Sequence, residues 1–282
     1  EIKNIIKNYI IFKPKNNKEL EIAVREWVKN KDFSKVKYGP ISNWDTSLIK
    51  SMAHLFDSLD FNDNISDWNV SNVENMDYIF RKNIIFNQPI NKWNISNVKT
   101  MKGAFYRASN FNQELNNWDV SKVEDMSMMF YFCSNFNKPL NKWNLSNVKY
   151  TYEMFFSCKN FDQNILDWNV SNVIGMDRMF IDCVKFNSPL YKWNVSKVKY
   201  MESLFHNCKM FDQYINDWNV SNVKTMDSMF EKAIKFNQPL NKWDVSNVKT
   251  MDSMFMDAKN FNMPLEEWRP LKVENMDNMF RN

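Results

Sequence analysis

Residues 218–242 read WNVSNVKTMDSMFEKAIKFNQPLNK, and residues 243–255 start the same pattern again with WDVSNVKTMDSMF. Trp recurs at positions 44, 68, 93, 118, 143, 168, 193, 218, 243 and 268, which is one step of 24 residues followed by steps of 25. Phe occupies every twenty-fifth position from 61 to 261. A fixed period of this kind is typical of a repeat protein, in which each copy buries its apolar face against its neighbours.

The apolar residues of each copy fall in fixed columns. Numbered from the Trp as position 0, these columns are positions 0, 2, 5, 8, 11, 12, 18 and 22. Leu240, Trp243 and Val245 follow the L-x-x-L-x-L pattern of a short strand, whereas the spacing from position 5 onward is helical. Asp recurs at position 9, where it is placed to cap a short helix or a tight turn. The pattern predicts a repeat solenoid of the leucine-rich-repeat type, with about ten coils that each contain one short strand and one short helix or turn.

Residues 1–40 lack the repeat. Asn16 and Glu19 have the spacing of a capping box at a helix start, and one apolar helical face follows. That face comprises Leu20, Val24, Trp27 and Val28. The sequence therefore predicts an N-terminal cap with one amphipathic helix over residues 1–40, and a solenoid of 24- or 25-residue repeats over residues 41–282.

Two aromatic columns are expected to stack as ladders inside the solenoid. The Trp ladder at position 0 comprises Trp68, Trp93, Trp118, Trp143, Trp168, Trp193, Trp218 and Trp243. The Phe ladder at position 12 comprises Phe80, Phe105, Phe130, Phe155, Phe180, Phe205, Phe230 and Phe255. We expect these side chains to have a structural role.

Composition limits the classes of partner. No apolar run approaches the roughly 18 residues of a membrane span, so no such span is predicted. The formal net charge is +4, and acidic and basic residues are interspersed along the repeats. Nucleic-acid binding requires clustered cations, and it is therefore not expected. The chain begins at Glu1 without a visible leader, and a leader removed earlier would leave the same start.

Residue types that carry chemistry are few. Position 15 holds Cys in four consecutive copies, namely Cys133, Cys158, Cys183 and Cys208. Ala108, Ala233 and Ala258 occupy the same column, which favours a small buried side chain, although stacking also permits a disulfide or, less readily, a metal site. His54 and His206 lack Cys, Asp or Glu at ligand spacing. We expect no catalytic residues, no metal, no cofactor and no enzymatic activity.

Several columns that are mostly polar become aromatic or apolar in the central copies. These columns are positions 7, 9, 10, 13, 14 and 23, and the residues are Tyr106, Met128, Tyr131, Phe132, Tyr150, Tyr152, Phe156, Leu166, Ile181, Tyr191 and Tyr200. One interpretation is that irregular packing buries them. The other is that they form an exposed patch for protein contact, since such patches mark interaction sites.

The unit W-[ND]-V-S-[NK]-V-x-x-M-x-x-M-F, followed by F-[ND]-x-x-[LI], resembles the BspA-like leucine-rich-repeat surface proteins, in their variant with 25- or 26-residue repeats. The resemblance extends over residues 38–282, although Arg269-Pro270-Leu271 replaces the usual N-V-S in the last copy. Such repeats occur in bacterial surface proteins, in mycoplasmas and in large DNA viruses. The resemblance implies a protein of a cell surface or virion that acts in adhesion or protein–protein contact.

Three hypotheses for function follow. The favoured one is a non-enzymatic scaffold that presents an extended surface to a protein partner. The first alternative is a structural component of a virion or cell-surface layer that acts through self-association or capsid contacts. The second is a cryptic enzyme. The sequence stops in mid-repeat at Phe280, so we expect further residues after Asn282 or self-association through that end.

Overall fold

The structure, a computed structural model, describes residues 11–281. Two helices open this part of the chain, α1 over Asn17–Lys29 and α2 over Lys31–Tyr38. The Oδ1 atom of Asn16 accepts the Glu19 N–H at 3.0 Å, and Asn30 caps α2 by accepting the Phe33 N–H at 3.0 Å. The sequence predicted one helix in this cap, and the structure has two because Asn30 ends the first and starts the second. Residues 1–10 of the predicted cap lie outside the described residues.

Helix α1 covers the first coil of the repeats. Its buried residues are Leu20, Ala23, Val24 and Trp27. The Trp27 indole N–H donates to the Asp63 carboxylate at 2.8 Å, and its ring packs edge-on against Trp44 with 5.8 Å between centroids. Lys31 makes an ion pair with the same carboxylate at 2.9 Å. The cap thus contributes both apolar contacts and hydrogen bonds to the start of the stack. No helix within residues 11–281 is long and apolar enough to cross a membrane.

The repeats contain neither a helix nor a strand after the 3-10 helix Ile41–Asn43, as far as residue 281. Single parallel bridges at position 7 join each coil to the next, from Ser51–Asn75 to Thr250–Asn275. The predicted leucine-rich-repeat coil, with one short strand and one short helix or turn, is therefore wrong. The segment from Leu240 to Val245, where the strand was expected, and the start of the predicted helical spacing at Val248 lie in turns instead. Trp243 N–H donates to the Leu240 carbonyl at 3.1 Å, and Val248 N–H donates to Val245 at 3.1 Å.

Consecutive tight turns replace the predicted helix. In the coil that starts at Trp118, the Met129 N–H donates to the carbonyl of Met126 within the same coil, at 3.2 Å. The next amide, Phe130 N–H, donates to Met154 of the following coil, at 2.9 Å. The buried backbone groups of this segment are thus satisfied partly by hydrogen bonds within the coil and partly by hydrogen bonds between coils. Every coil therefore depends on a neighbouring coil for part of its backbone hydrogen bonding.

Left-handed residues make these turns possible. Positions 10 and 14 have positive φ throughout the stack, as at Met128 (58°) and Phe132 (57°). A left-handed residue costs about 1–2 kcal/mol when it carries a Cβ atom, and it cannot belong to a right-handed helix. Overlapping four-residue turns also bring apolar residues to one side every three or four positions. The helical spacing of apolar residues in the sequence therefore arises from overlapping turns and not from a helix.

Aromatic ladders fill the interior, and all the Trp and Phe side chains of the two ladders are buried. The Phe180 ring stacks on Phe155 at 5.7 Å and on Phe205 at 5.8 Å, and lies 4.3 Å from Phe186 of its own coil. Each Trp of the ladder also donates its indole N–H to the carbonyl of the residue three positions before the preceding Trp, as Trp168 does to Leu140 at 2.8 Å. The Trp column thus combines apolar burial with a hydrogen bond between coils.

The four cysteines are free and fully buried. The Sγ atom of Cys133 donates to the Phe105 carbonyl of the preceding coil at 2.9 Å, and Cys158, Cys183 and Cys208 repeat this contact. Burial raises the pKa of each thiol. The column therefore packs as small apolar side chains that each satisfy one backbone carbonyl.

Candidate functional site

The column at position 13 changes character in the middle of the stack. Near its start, Arg81 makes an ion pair with Asp57 at 2.7 Å. Near its end, Glu231 accepts from Lys232 at 2.6 Å and lies 3.3 Å from the His206 ring nitrogen. Between these charged groups the same position holds Tyr106, Tyr131 and Phe156, which we name the aromatic ridge.

The rings of the aromatic ridge cover one another. Tyr106 and Tyr131 are parallel with 4.5 Å between centroids, and Phe156 stacks on the other side of Tyr131 at 4.7 Å. All three side chains are half-buried. Burial raises the pKa of the Tyr131 hydroxyl above its usual value. Because the faces of Tyr131 are occupied by its neighbours, the ring edge is the part left for a ligand.

A groove of about 730 Å³ runs beside the ridge. It is lined by positions 14 and 16 of four successive coils, and we name it the cationic groove. Its lining residues are Lys82, Ile84, Arg107, Ser109, Phe132, Ser134, Ser157 and Lys159. Phe132 is 38% exposed and Ile84 is 54% exposed, so the groove presents apolar surface as well as charge.

The cations of the groove lack acidic partners. Within residues 11–281, no carboxylate lies at ion-pair distance from Lys82, Arg107 or Lys159. The Arg107 guanidinium instead lies 5.6 Å from the Tyr106 ring centroid and 5.4 Å from that of Phe132. These contacts hold one cation between the ridge and the groove, where it can meet an anionic group.

The remaining residues of the predicted patch lie in other columns. Tyr150 and Tyr152 stack on each other at 5.6 Å, and the Tyr152 ring occupies the space of a missing Cβ atom at Gly175. Met128 lines a separate small pocket with Tyr152. Ile181 and Leu166 are half-buried, whereas Tyr191 and Tyr200 are exposed. The structure therefore gathers Tyr106, Tyr131, Phe132 and Phe156 around one groove and places the others apart from it.

Sequence reasoning missed the basic residues of the groove. The sequence analysis singled out none of Lys82, Arg107 and Lys159. Positions 14 and 16 of neighbouring copies could have been compared in the same way as the aromatic columns. Whether these basic residues have acidic partners, however, depends on which side chains surround them in three dimensions.

Position 9 does not cap a helix. Asp227 Oδ1 accepts the N–H of Asp252, the equivalent residue in the next coil, at 2.8 Å, and Asp177 accepts the Glu202 N–H at 2.9 Å. Instead of the predicted cap of a short helix or a tight turn, these carboxylates form links between coils. Burial, with a contribution from the nearby Glu202 carboxylate, raises the pKa of Asp177 to about 6, against the influence of the Glu202 N–H and Arg178.

Asp177→Asn is expected to stabilise the protein at pH 7 and to have little effect at pH 4. A carboxyl group whose pKa is raised on folding destabilises the fold where it must be charged, so this penalty develops as the pH rises from about 4 through about 6. The amide keeps an oxygen for the Glu202 N–H. Thermal unfolding of both proteins at the two pH values tests this, and equal differences in Tm at pH 4 and pH 7 would contradict it.

No metal-binding cluster of three or more His, Cys, Asp or Glu residues occurs within the described part of the chain. No curated protein matches this sequence. A family model described as a Mycoplasma protein of unknown function, DUF285, matches residues 24–139, 126–233 and 188–282. These three overlapping matches cover most of the chain and all of its complete repeats. The chain therefore belongs to the DUF285 family of Mycoplasma proteins of unknown function.

Proposed function

We propose that the protein is a non-enzymatic interaction scaffold that binds a protein partner through the aromatic ridge and the cationic groove. The observation that carries this proposal is the concentration of half-exposed aromatic rings and unpaired cations in the same four coils. Other basic residues of the stack do make ion pairs, as Lys99 does with Glu74 and Lys192 does with Asp167.

The chemistry of this surface suits protein recognition. Tyr and Arg contribute disproportionately to binding energy at protein interfaces, and Phe is enriched at them. Aromatic side chains bury a large area while few rotatable bonds are frozen. The ridge residues are already ordered by stacking on one another, so a partner would encounter a surface that needs little reorganisation.

Single-stranded nucleic acid is the other macromolecule that uses aromatic rings and cations together. It binds by stacking bases on free ring faces. The faces of Tyr131 are covered by Tyr106 and Phe156, so no free stacking platform exists at the centre of the ridge. Ring edges carry partial positive charge, which suits acidic groups of a protein.

The resemblance to BspA-like surface proteins supports adhesion at a cell surface or virion as the setting of this binding. A structural component of a surface layer or virion remains the alternative. Recovery of further copies of this chain, rather than of a different protein, would favour that alternative in the experiment below.

Phe132→Asn is expected to reduce partner capture about tenfold or more and to leave Tm unchanged or slightly higher. The change removes an exposed ring whose loss at an interface costs about 1–2 kcal/mol or more. Asn tolerates positive φ better than Phe does, and Asn207 occupies the same position three coils later. Proteins captured from the source organism and its surroundings on the immobilised full chain are quantified by mass spectrometry.

Asp257→Asn is the matched control, because Asp257 has the same position and a φ of 57° but lies outside the groove. It should leave capture intact. Equal capture by the wild-type chain and the Phe132→Asn variant would contradict binding at this surface.

A further inference from the structure

We propose that the cationic groove binds an extended peptide segment with the pattern acidic-x-apolar-x-acidic. This inference rests on the proposed function and identifies the chemistry of the segment that the partner presents. The segment runs along the stack, with its acidic side chains at the two ends of the groove and its apolar side chain over Phe132.

The length of the groove sets the length of the segment. The lining residues come from four successive coils, those that start at Trp68, Trp93, Trp118 and Trp143. Backbones joined by parallel bridges lie about 4.8 Å apart, so the first and fourth coils are about 14 Å apart. An extended chain rises about 3.3 Å per residue, and about five residues therefore span the groove.

The positions of the cations determine the acidic residues. Lys82 and Arg107 lie at position 14 of adjacent coils at one end, and Lys159 lies at position 16 of the last coil at the other. The two ends are separated by two to three coil spacings, or about 12 Å. Residues i and i+4 of an extended chain are about 13 Å apart and point to the same side. Two carboxylates at that spacing can reach both ends.

The middle of the groove suits an apolar side chain. Phe132 lies at position 14 of the third coil, with 38% of its surface exposed. Residue i+2 of the segment points to the same side as residues i and i+4 and would lie over this ring. Ser109 and Ser134 also line the groove, and their hydroxyl groups can bond to the peptide backbone. The groove thus offers a partner for each part of the segment.

A labelled peptide tests the proposal against the full chain. The probe Gly-Ser-Glu-Ser-Leu-Ser-Glu-Ser-Gly has the required alternation. One control replaces both Glu by Gln, and a second moves Leu next to the first Glu, so that it points to the opposite side. Fluorescence anisotropy should show saturable binding of the probe and at least about tenfold weaker binding of both controls, which corresponds to about 1.4 kcal/mol. Binding should weaken as salt is raised.

Three variants assign that binding to the groove. Arg107→Asn and Lys159→Ala are each expected to weaken probe binding about tenfold. Asn207 shows that the position of Arg107 accepts Asn with positive φ. Lys259→Ala is the matched control, because Lys259 occupies the position of Lys159 four coils later and is likewise exposed. It should leave probe binding unchanged.

Three outcomes would overturn the proposal. One is the absence of saturable probe binding up to about 1 mM. Another is equal binding of all three peptides, which would mean that the groove recognises neither the acidic side chains nor their alternation with Leu. The third is equal weakening by Lys259→Ala, which would indicate unspecific attraction between charges. Each result leaves the capture test with Phe132→Asn to decide the proposed function on its own, so failure of the peptide proposal and failure of the proposed function can be told apart.

Discussion

Replacement of Phe180 by Ala is expected to lower the free energy of unfolding by about 3–5 kcal/mol, the cost of a large cavity in a packed core. Phe180 is fully buried and is stacked between Phe155 and Phe205. Its removal interrupts the ladder in the middle of the stack, where the neighbouring rings are held by the coils on both sides. Urea unfolding followed by Trp fluorescence measures the change.

Tyr191→Ala provides the comparison, because Tyr191 is an aromatic residue of the same coil that is 53% exposed. Its replacement should cost less than about 1 kcal/mol, as is usual for surface positions. Similar losses for the two variants would show that the position 12 ladder does not form the core.

Replacement of Asn83 by Ala is expected to raise the free energy of unfolding by about 1–3 kcal/mol, the penalty of burying an unpaired polar group. Asn83 is fully buried, and neither its Nδ2 nor its Oδ1 atom has a hydrogen-bond partner. It occupies position 15, the column that otherwise holds the buried Cys and Ala side chains in the following coils. The amide is therefore out of place in an apolar column.

The reverse substitution at the next coil is the control. Ala108→Asn places an amide at the equivalent buried position and should lower stability by a similar amount. Thermal and urea unfolding of both variants provide the comparison. A loss of stability in Asn83→Ala would contradict the prediction and would mean that the amide has a partner in solution.

The interior of the stack could be predicted from the sequence. Residues that recur at a constant interval must occupy equivalent places in successive coils, and large apolar residues at such places can only be buried against each other. Trp168 and Phe180 follow this logic directly. The path of the backbone between these residues cannot be predicted in this way, because the same intervals are compatible with a helix and with overlapping turns.

The turns could not be predicted from the sequence, because glycine is rare at their left-handed positions. Glycine usually marks positive φ, yet the chain has three glycines, and eighteen other residues have positive φ within residues 11–281. Tyr78, Met128 and Arg178 all occupy position 10, so no column consensus reveals the strain. Hydrogen bonds between coils hold these residues in a left-handed conformation that is unfavourable for residues with a Cβ atom.

The candidate site could be predicted in part for the same reason. Tyr131 and Phe156 depart from polar columns, and this change is visible in the sequence. The groove beside them depends on where position 14 points after a left-handed turn. Lys82, Arg107 and Phe132 share that position with φ values of 56°, 60° and 57°. One wall of the cationic groove is therefore made of left-handed residues, which link the turn geometry to the proposed binding surface.

The φ angle of Phe132 in solution is the measurement that tests this link most directly. Scalar couplings from the isotope-labelled full chain distinguish positive from negative φ at Phe132 and at its neighbours Arg107 and Ser157 in the column. The turn stack described above predicts positive φ at all three residues. Negative, helical φ at these residues would restore a helix in each coil, remove the groove wall, and contradict the proposed surface.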